Sequence, residues 1–251
     1  MKGLRYTRAA LFAAVAPCVL ACAAQTVIYE KTSQHNAIVV TEDHNGLRTL
    51  LFERGGSRQS VVKPGDPDHL ELPYARVALV GLALCEEPRR ILVVGLGGGT
   101  LPTFLRKHYP SAAIDVAEID PDVVDVAKKL FGFREDERMR AHVGDGRRFI
   151  ENVPQPYYDI IYLDADHSYS SVLRDATCAI RKLNPDGLLI FNDYVSYDHL
   201  AHTPYGIVHV VNDLCVNQGW KITHFAFEQN MFCDVAIRRA LLDCTDHNPV
   251  L

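Results

Sequence analysis

The sequence predicts an α/β chain: a doubly wound, mostly parallel sheet with a C-terminal antiparallel hairpin, preceded by a small β-domain. Three observations predict it. From Arg90 onward, apolar runs of strand length alternate with stretches of helical period, which is the pattern of repeated strand–helix–strand units. A glycine cluster, Gly95-Leu-Gly-Gly-Gly-Thr100, follows directly on the first of those runs. Residues 26–62 hold short β-branched runs broken by turn residues, without helical period. The expected organisation is a targeting segment over 1–24, a small β-domain over 25–68 and the α/β domain over 69–251.

The first 24 residues differ from the rest. Lys2, Arg5 and Arg8 give a positive start, Ala9 to Leu20 is apolar, and Ala21-Cys-Ala-Ala24 supplies small residues. This is the pattern of a secretory signal, and the apolar run is too short to span a bilayer as a helix. Val19-Leu-Ala-Cys22 is similar to a bacterial lipobox, so the expectation is export, to the periplasm or a membrane anchor with lipid on Cys22; the alternative is a cytoplasmic protein.

Thr26–Glu30, Ala37–Thr41 and Leu47–Phe52 read as strands, with Asn45-Gly46 as the hairpin turn between the second and third. Arg58–Val62 reads as a fourth. The turn cluster Lys63-Pro-Gly-Asp-Pro-Asp68 ends this part, and Leu70–Leu84 has helical spacing of its apolar residues. In the second part, strands are expected at Ile91–Val94, Ala113–Ile119, Met139–Val143, Tyr158–Leu163 and Gly187–Phe191. The intervening helices are expected near 101–108, 122–130, 145–152 and 170–183. A last helix over Ile207–Gln218 leads to the hairpin of Lys221–Phe227 and Cys233–Arg238.

The chain of 251 residues carries a net charge of -5, so no basic field exists to hold a nucleic acid. Seven cysteines are too few for a disulfide scaffold at this length, and none stands in a C-x-x-C pair, which disfavours structural zinc.

Ligands of open α/β sheets sit beyond the carboxyl ends of the strands, and here those ends are glycine-rich or acidic. Gly95, Gly97, Gly98 and Gly99 permit close approach of a ligand to backbone, with a helix N-terminus behind them. Glu118, about 20 residues further on, can accept both hydroxyls of a ribose. Asp120 is read as the N-cap of the helix starting at Pro121. Asp145, in Gly144-Asp-Gly146, is placed either to accept from an adenine amino group or to cap the next helix. Asp164, Asp166 and His167 end the fourth strand and are candidates for binding a cation, a metal or a proton. Asn192-Asp-Tyr194 closes the fifth.

Together, Gly95–Thr100, Glu118-Ile-Asp-Pro and Gly144-Asp-Gly resemble the S-adenosylmethionine-dependent transferases of Rossmann-like, methyltransferase type. More narrowly, the stretch from Tyr29 to Asp164 resembles the spermidine synthase family of polyamine aminopropyltransferases, which carries a small N-terminal β-domain. Leu72-Pro-Tyr74 is similar to the segment that holds the family's substrate-gating tyrosine. The resemblance implies that decarboxylated S-adenosylmethionine is the co-substrate, held by the glycines together with Glu118 at its ribose and Asp145 with Gly146 at its adenine. It implies that Asp164 serves the attacking amine, with Tyr74, Asp166 and His167 as further catalytic candidates and no metal. Expected partners are a small amine acceptor and a second copy of the chain.

Two departures mark a second reading. Ala75 stands where the family has glutamine, and His167 where it has a second aspartate. Asp164-Ala-Asp-His-Ser-Tyr169 instead resembles a loop of small-molecule methyltransferases, in which a divalent metal can be held together with Asn192-Asp193. Methyl transfer from intact S-adenosylmethionine is therefore the alternative function, and a non-catalytic nucleoside-binding homologue the third.

Overall fold

The computed structural model describes residues 25–199, 202–227 and 233–240. The expected signal segment, with Cys22, lies outside the described residues. Among those described, no helix is long and apolar enough to cross a membrane.

Four antiparallel strands open the structure: β1 (Thr26–Thr32), β2 (Ala37–Glu42), β3 (Arg48–Leu51) and β4 (Arg58–Val62), paired in chain order. The turn between β2 and β3 is the expected one at Asn45-Gly46. The Asp43 carboxylate fixes it by accepting from the Asn45 and Leu47 N–H groups, both at 2.9 Å. Ile38, Val40 and Leu50 are fully buried on one face of this sheet.

Helix α1 (Pro73–Leu82) leads into the main body. There β5 (Arg90–Val94), α2 (Thr100–His108), β6 (Ala113–Glu118), α3 (Pro121–Val126), β7 (Met139–Val143), α4 (Gly146–Glu151), β8 (Tyr158–Leu163), α5 (Tyr169–Ile180) and β9 (Leu183–Phe191) alternate as the sequence predicts. The helix α3 continues as a wider turn over Ala127–Phe131. Helix α3 and that turn supply Val123, Val126 and Phe131, against which Ile38, Val40 and Leu50 pack. The small sheet is thereby anchored next to the glycine cluster.

Two features were not expected. β9 begins at Leu183, before Asn184-Pro-Asp-Gly187, and a two-residue pair β10 (Tyr197–Asp198) with β11 (Thr203–Pro204) crosses the loop after β9. Helix α6 (Ile207–Asn217) and the hairpin β12 (Trp220–Phe227) and β13 (Cys233–Arg239) complete the chain's described part.

The large sheet has the order β12-β13-β9-β8-β5-β6-β7. Pairings from β9 through β7 are parallel, while β13 is antiparallel to both β12 and β9. Strand neighbours have side chains on opposite faces, and the core follows that rule. Ile91, Val93, Ile160 and Ile190 face a cluster with Leu101, Leu105 and Ala127, on the side of α1 to α3. Leu92, Ile161, Leu189 and Ile237 face a cluster with Ile150, Ala176, Val210 and Leu214, on the side of α4 to α6. Each fully buried aliphatic side chain of this kind contributes roughly 1.5–3 kcal/mol. Strands buried on both faces explain why β5 and β9 read as unbroken apolar runs. The chain departs from β5 toward β6 on one side and reaches β8 on the other, so the sheet has its switch point between β5 and β8.

Candidate active site

A cavity of about 1390 Å³ opens at the carboxyl ends of the parallel strands. It is lined by Gly95, Glu118, Asp145, Asp164 and Asp193 from that edge, with Tyr74 from α1 facing them. This is the switch-point position at which open α/β sheets bind ligands.

At its centre the backbone leaving β5 is joined to β8 on one side and to β6 on the other. The Asp164 N–H donates to the Val94 carbonyl at 3.0 Å, and the Gly95 N–H to the Ala117 carbonyl at 2.9 Å. Gly95 has φ +97°, and a Cβ there would lie 2.1 Å from the Asp164 carbonyl oxygen. Glycine is required by both the dihedral and the space. Gly97, Gly98 and Gly99 run beneath β4: a Cβ on Gly98 would meet Ser60 and Phe131 at 3.0 Å, and one on Gly99 would meet Phe133 at 2.9 Å. Ser60 is fully buried, with its hydroxyl 3.4 Å from the Tyr74 hydroxyl and 3.5 Å from that of Thr100 at the start of α2.

Glu118 is buried at the end of β6 and accepts from the Leu96 N–H at 2.9 Å and the Asp120 N–H at 3.0 Å. Burial pushes its carboxyl above the ordinary glutamate value, and the neighbouring Asp120 charge adds to this against the backbone N–H donors. The carboxylate is thus rigidly held while it faces the cavity. Asp120 caps α3 as expected, accepting from the Asp122 N–H at 3.0 Å. It also accepts from the Ser33 hydroxyl and from the Asn36 amide, the latter at 3.0 Å. Burial favours its neutral form, but these donors outweigh it and hold the carboxyl below the usual range. The cap therefore ties the β1–β2 turn to the large sheet.

Asp145 caps α4 through the Arg147 N–H at 2.9 Å and also accepts from the Arg147 guanidinium at 3.1 Å. Its place on the cavity wall beside Gly146 is compatible with a second role toward a ligand. Asp166 accepts from the Ser168 N–H at 2.8 Å and the Ser171 hydroxyl at 2.9 Å. Both its oxygens are engaged at the first turn of α5, where Ser168 makes no cap bond of its own.

Asp164 differs from both. Its carboxylate accepts no hydrogen bond among the described residues, and surrounding protein followed by the charge of Glu118 raises its pKa to about 7. Asp193, at the end of β9, is raised to about 7 by burial, then by Asp164 and Asp198. It sits at φ +52°, a strained conformation for a residue with a side chain. The His167 ring stacks on Tyr205 at 4.5 Å with its Nε2 atom 3.9 Å from Asp193. Burial lowers the His167 pKa, so the ring favours its neutral form.

The last member, Asp234 of β13, was not among the residues expected. It is 3% exposed and accepts from the Tyr162 hydroxyl and the Asn192 amide, both at 3.1 Å. Burial, then Asp193 and Asp164, push it well above the ordinary carboxylate value. The signal was the acidic residue in an otherwise apolar Cys233–Ile237 run. Tyr74, tucked under β4, has its hydroxyl pKa raised by burial and then by the charge of Asp164. Among the described residues, no group of three or more histidines, cysteines or acids is arranged to hold a metal ion. The cysteines at 85, 178, 215 and 233 are free thiols.

A family model described as "Methyltransferase domain" matches residues 93–194. The polyamine aminopropyltransferase of Vibrio vulnificus (strain CMCP6) is 34% identical over 193 residues, covering 71% of this chain and 64% of that protein. The eEF1A lysine and N-terminal methyltransferase of Bos taurus is 32% identical over 185 residues, covering 69% of this chain and 25% of that one. The chain thus spans under two thirds of the length of these relatives. The crystal structure of a probable spermidine synthase from Corynebacterium glutamicum ATCC 13032 superposes with a TM-score of 0.63 at 17% identity. It covers 84% of this chain and 79% of that one.

Proposed function

We propose that this chain, which has the fold of S-adenosylmethionine-dependent methyltransferases, moves an aminopropyl group from decarboxylated S-adenosylmethionine to an amine. The observation that carries this reading is the pair of cavity-lining carboxylates Asp164 and Asp193, with the charge of the buried Asp234 coupled to both. No lysine or arginine among the described residues pairs with any of the three. Burial raises all three carboxyls; Glu118 adds to the shift of Asp164, Asp164 to that of Asp193, and both Asp193 and Asp164 to that of Asp234. A ligand bearing ammonium groups, next to a donor bearing a sulfonium, supplies the missing positive charge.

The donor's nucleoside occupies the side of Gly95–Thr100, with its ribose on Glu118 and its adenine beside Asp145 and Gly146. The acceptor amine nitrogen attacks the aminopropyl carbon attached to sulfur. A carbon–nitrogen bond forms as the carbon–sulfur bond breaks, and the bond pair returns to sulfur, leaving a neutral thioether. The nitrogen must lose a proton to become a nucleophile. Asp164 is suited to take it, because a base near pKa 7 combines availability with driving force at neutral pH. Tyr74 and Tyr205 wall the site, and Asp193 holds the ammonium end. The neutral His167 packs on Tyr205 and limits where the acceptor lies.

A second reading is methyl transfer from intact S-adenosylmethionine. The match to a methyltransferase family over 93–194 favours it.

Calorimetry with the two donors, followed by a transfer assay with a linear diamine, separates the readings. Tighter binding of the decarboxylated donor and formation of an aminopropylated amine are expected. Preference for the intact donor with methylated product overturns the proposal in favour of the second reading, and binding of neither donor overturns both.

A further inference from the structure

The cavity has an aromatic flank that the transfer chemistry above does not use. Phe225 and Phe227 lie two residues apart on β12 and so project to the same side. Their rings stack with centroids 6.2 Å apart, and Tyr194 meets Phe225 edge-on at 5.9 Å. All three line the same cavity as Asp193 and Asp164. Yet Phe225 is 48% and Phe227 59% exposed, while Ala226 between them is buried. Tyr194 is held in place from behind: its hydroxyl donates to Asn212 of α6 at 2.8 Å, and the Cys233 thiol donates to its carbonyl at 3.0 Å.

A short diamine has no need of this surface. Its two ammonium groups and few methylenes are accommodated beside Asp164 and Asp193, leaving both phenylalanine rings in water. Exposed aromatic rings grouped in a cavity mark a place where apolar ligand surface is buried. The cavity volume of about 1390 Å³ also exceeds the roughly 300–1000 Å³ usual for ligand sites.

We propose that the Tyr194–Phe225–Phe227 flank is a specificity-determining subsite for the hydrocarbon part of the acceptor, so that the preferred acceptor is an amine with a long or bulky apolar chain. This rests on the aminopropyl-transfer reading of the same cavity. The reacting ammonium sits among the carboxylates and the chain runs out along the rings. A second ammonium further along that chain is met by the aromatic faces, which attract cations. Each methylene laid on the rings raises affinity by roughly three- to fourfold, and removing the rings abolishes that gain.

The experiment uses the full chain, the decarboxylated donor and linear diamines of four, six, eight and ten carbons. Transfer rates give KM and kcat for each, and calorimetry gives the affinity of each diamine independently of turnover. KM is expected to fall at least tenfold from four to eight carbons, and the fall is expected to vanish in Phe225→Ala/Phe227→Ala. Val216→Ser, at an 80% exposed position of α6, is the control that keeps the fall. Transfer with a KM independent of chain length, or with the same fall in the double variant, overturns the subsite. A change of oligomeric state in the double variant, with flat KM values throughout, assigns the rings to a contact between copies and also overturns it. No transfer to any diamine, with affinity still rising with chain length, overturns the aminopropyl reading but supports the subsite. A length-dependence lost only in the double variant therefore identifies the rings, whatever group is transferred.

Discussion

The Cβ that any residue but glycine would place at position 95 falls 2.1 Å from the backbone carbonyl oxygen of Asp164. The exit of β5 and the end of β8 are in contact there, so the donor loop and the proposed base share one rigid junction. Gly95→Ala requires both a shifted backbone and a positive φ, each costing of order 1–3 kcal/mol. Chemical denaturation should show a loss of roughly 2–5 kcal/mol, and calorimetry at least tenfold weaker donor binding. Stability within 0.5 kcal/mol of the parent, about the spread of neutral surface changes, would show that the junction relaxes freely.

Glu118 has a structural duty besides the ribose role proposed for it. Glu118→Ala leaves the Leu96 and Asp120 N–H groups without their acceptor, each at a cost of about 1–3 kcal/mol. Glu118→Gln keeps one acceptor oxygen, so it should lose less stability yet bind the donor at least tenfold more weakly. Donor affinity unchanged in Glu118→Gln would remove the ribose contact.

The raised carboxyls predict how activity depends on pH. Burial holds both Asp164 and Asp193 at about 7, with Glu118 adding to the first shift and Asp164 to the second. The rate should climb through that region as the base deprotonates. Asp164→Asn should lower kcat by about 10²–10⁴ and remove this limb. A limb at the same pH in Asp164→Asn would assign it elsewhere.

The same shifts fix the direction of a stability effect. Both folded pKa values lie above the unfolded value of about 3.9, so the contribution to stability is full below about pH 4 and is lost as pH rises through 7. The melting midpoint of the ligand-free protein should accordingly decline between pH 4 and 7 on this account. A diamine stabilises the ionised forms, so its binding near pH 7 should release protons, readable by calorimetry in buffers of different ionisation enthalpy. Proton uptake instead of release would contradict the placement of the ammonium groups.

Asp120 joins the two sheets through Ser33 and Asn36. Asp120→Ala removes a helix cap, worth about 1 kcal/mol, together with both tethers. An overall loss of roughly 1–3 kcal/mol is expected, with faster hydrogen exchange in β1 and β2 than in β8. Uniformly unchanged exchange would show that the apolar contact of Ile38 and Val40 with α3 suffices.

The parts of this molecule legible in the sequence are those governed by neighbours along the chain. Ile91–Val94 and Leu188–Phe191 read as strands because both their faces are buried. Asp120 read as a cap because the residue type and the following proline define one. Tyr197–Asp198 with Thr203–Pro204 escaped notice, because a two-residue pairing leaves no period. Asp145 was open to reading as a cap because it precedes a helix, and it caps α4; Asp166 stood out as an acid at a strand end, and its engagement by Ser168 and Ser171 at the start of α5 was not legible. Asp234 was hidden for a different reason. Cys233–Arg239 looks like the second half of a terminal hairpin, and only its insertion between β12 and β9 carries that carboxylate to Tyr162 and Asn192. Long-range strand order has no local signature.

That insertion sets a timetable. Everything assigned to the nucleoside lies between Gly95 and Gly146, and all of it has left the ribosome long before β13 is made. The acceptor half, by contrast, lacks Asp234 and its support for Asn192 until β13 slides between two strands already synthesised. A nascent or truncated chain ending near residue 219 would present a donor pocket with an unfinished acid side, and the gap beside β9 would expose a bare sheet edge to any other strand in reach. Asp234 thus joins Asp193 and Asp164 only once the sheet is complete, and the burial and like charge that raise its pKa fall on that final step of assembly.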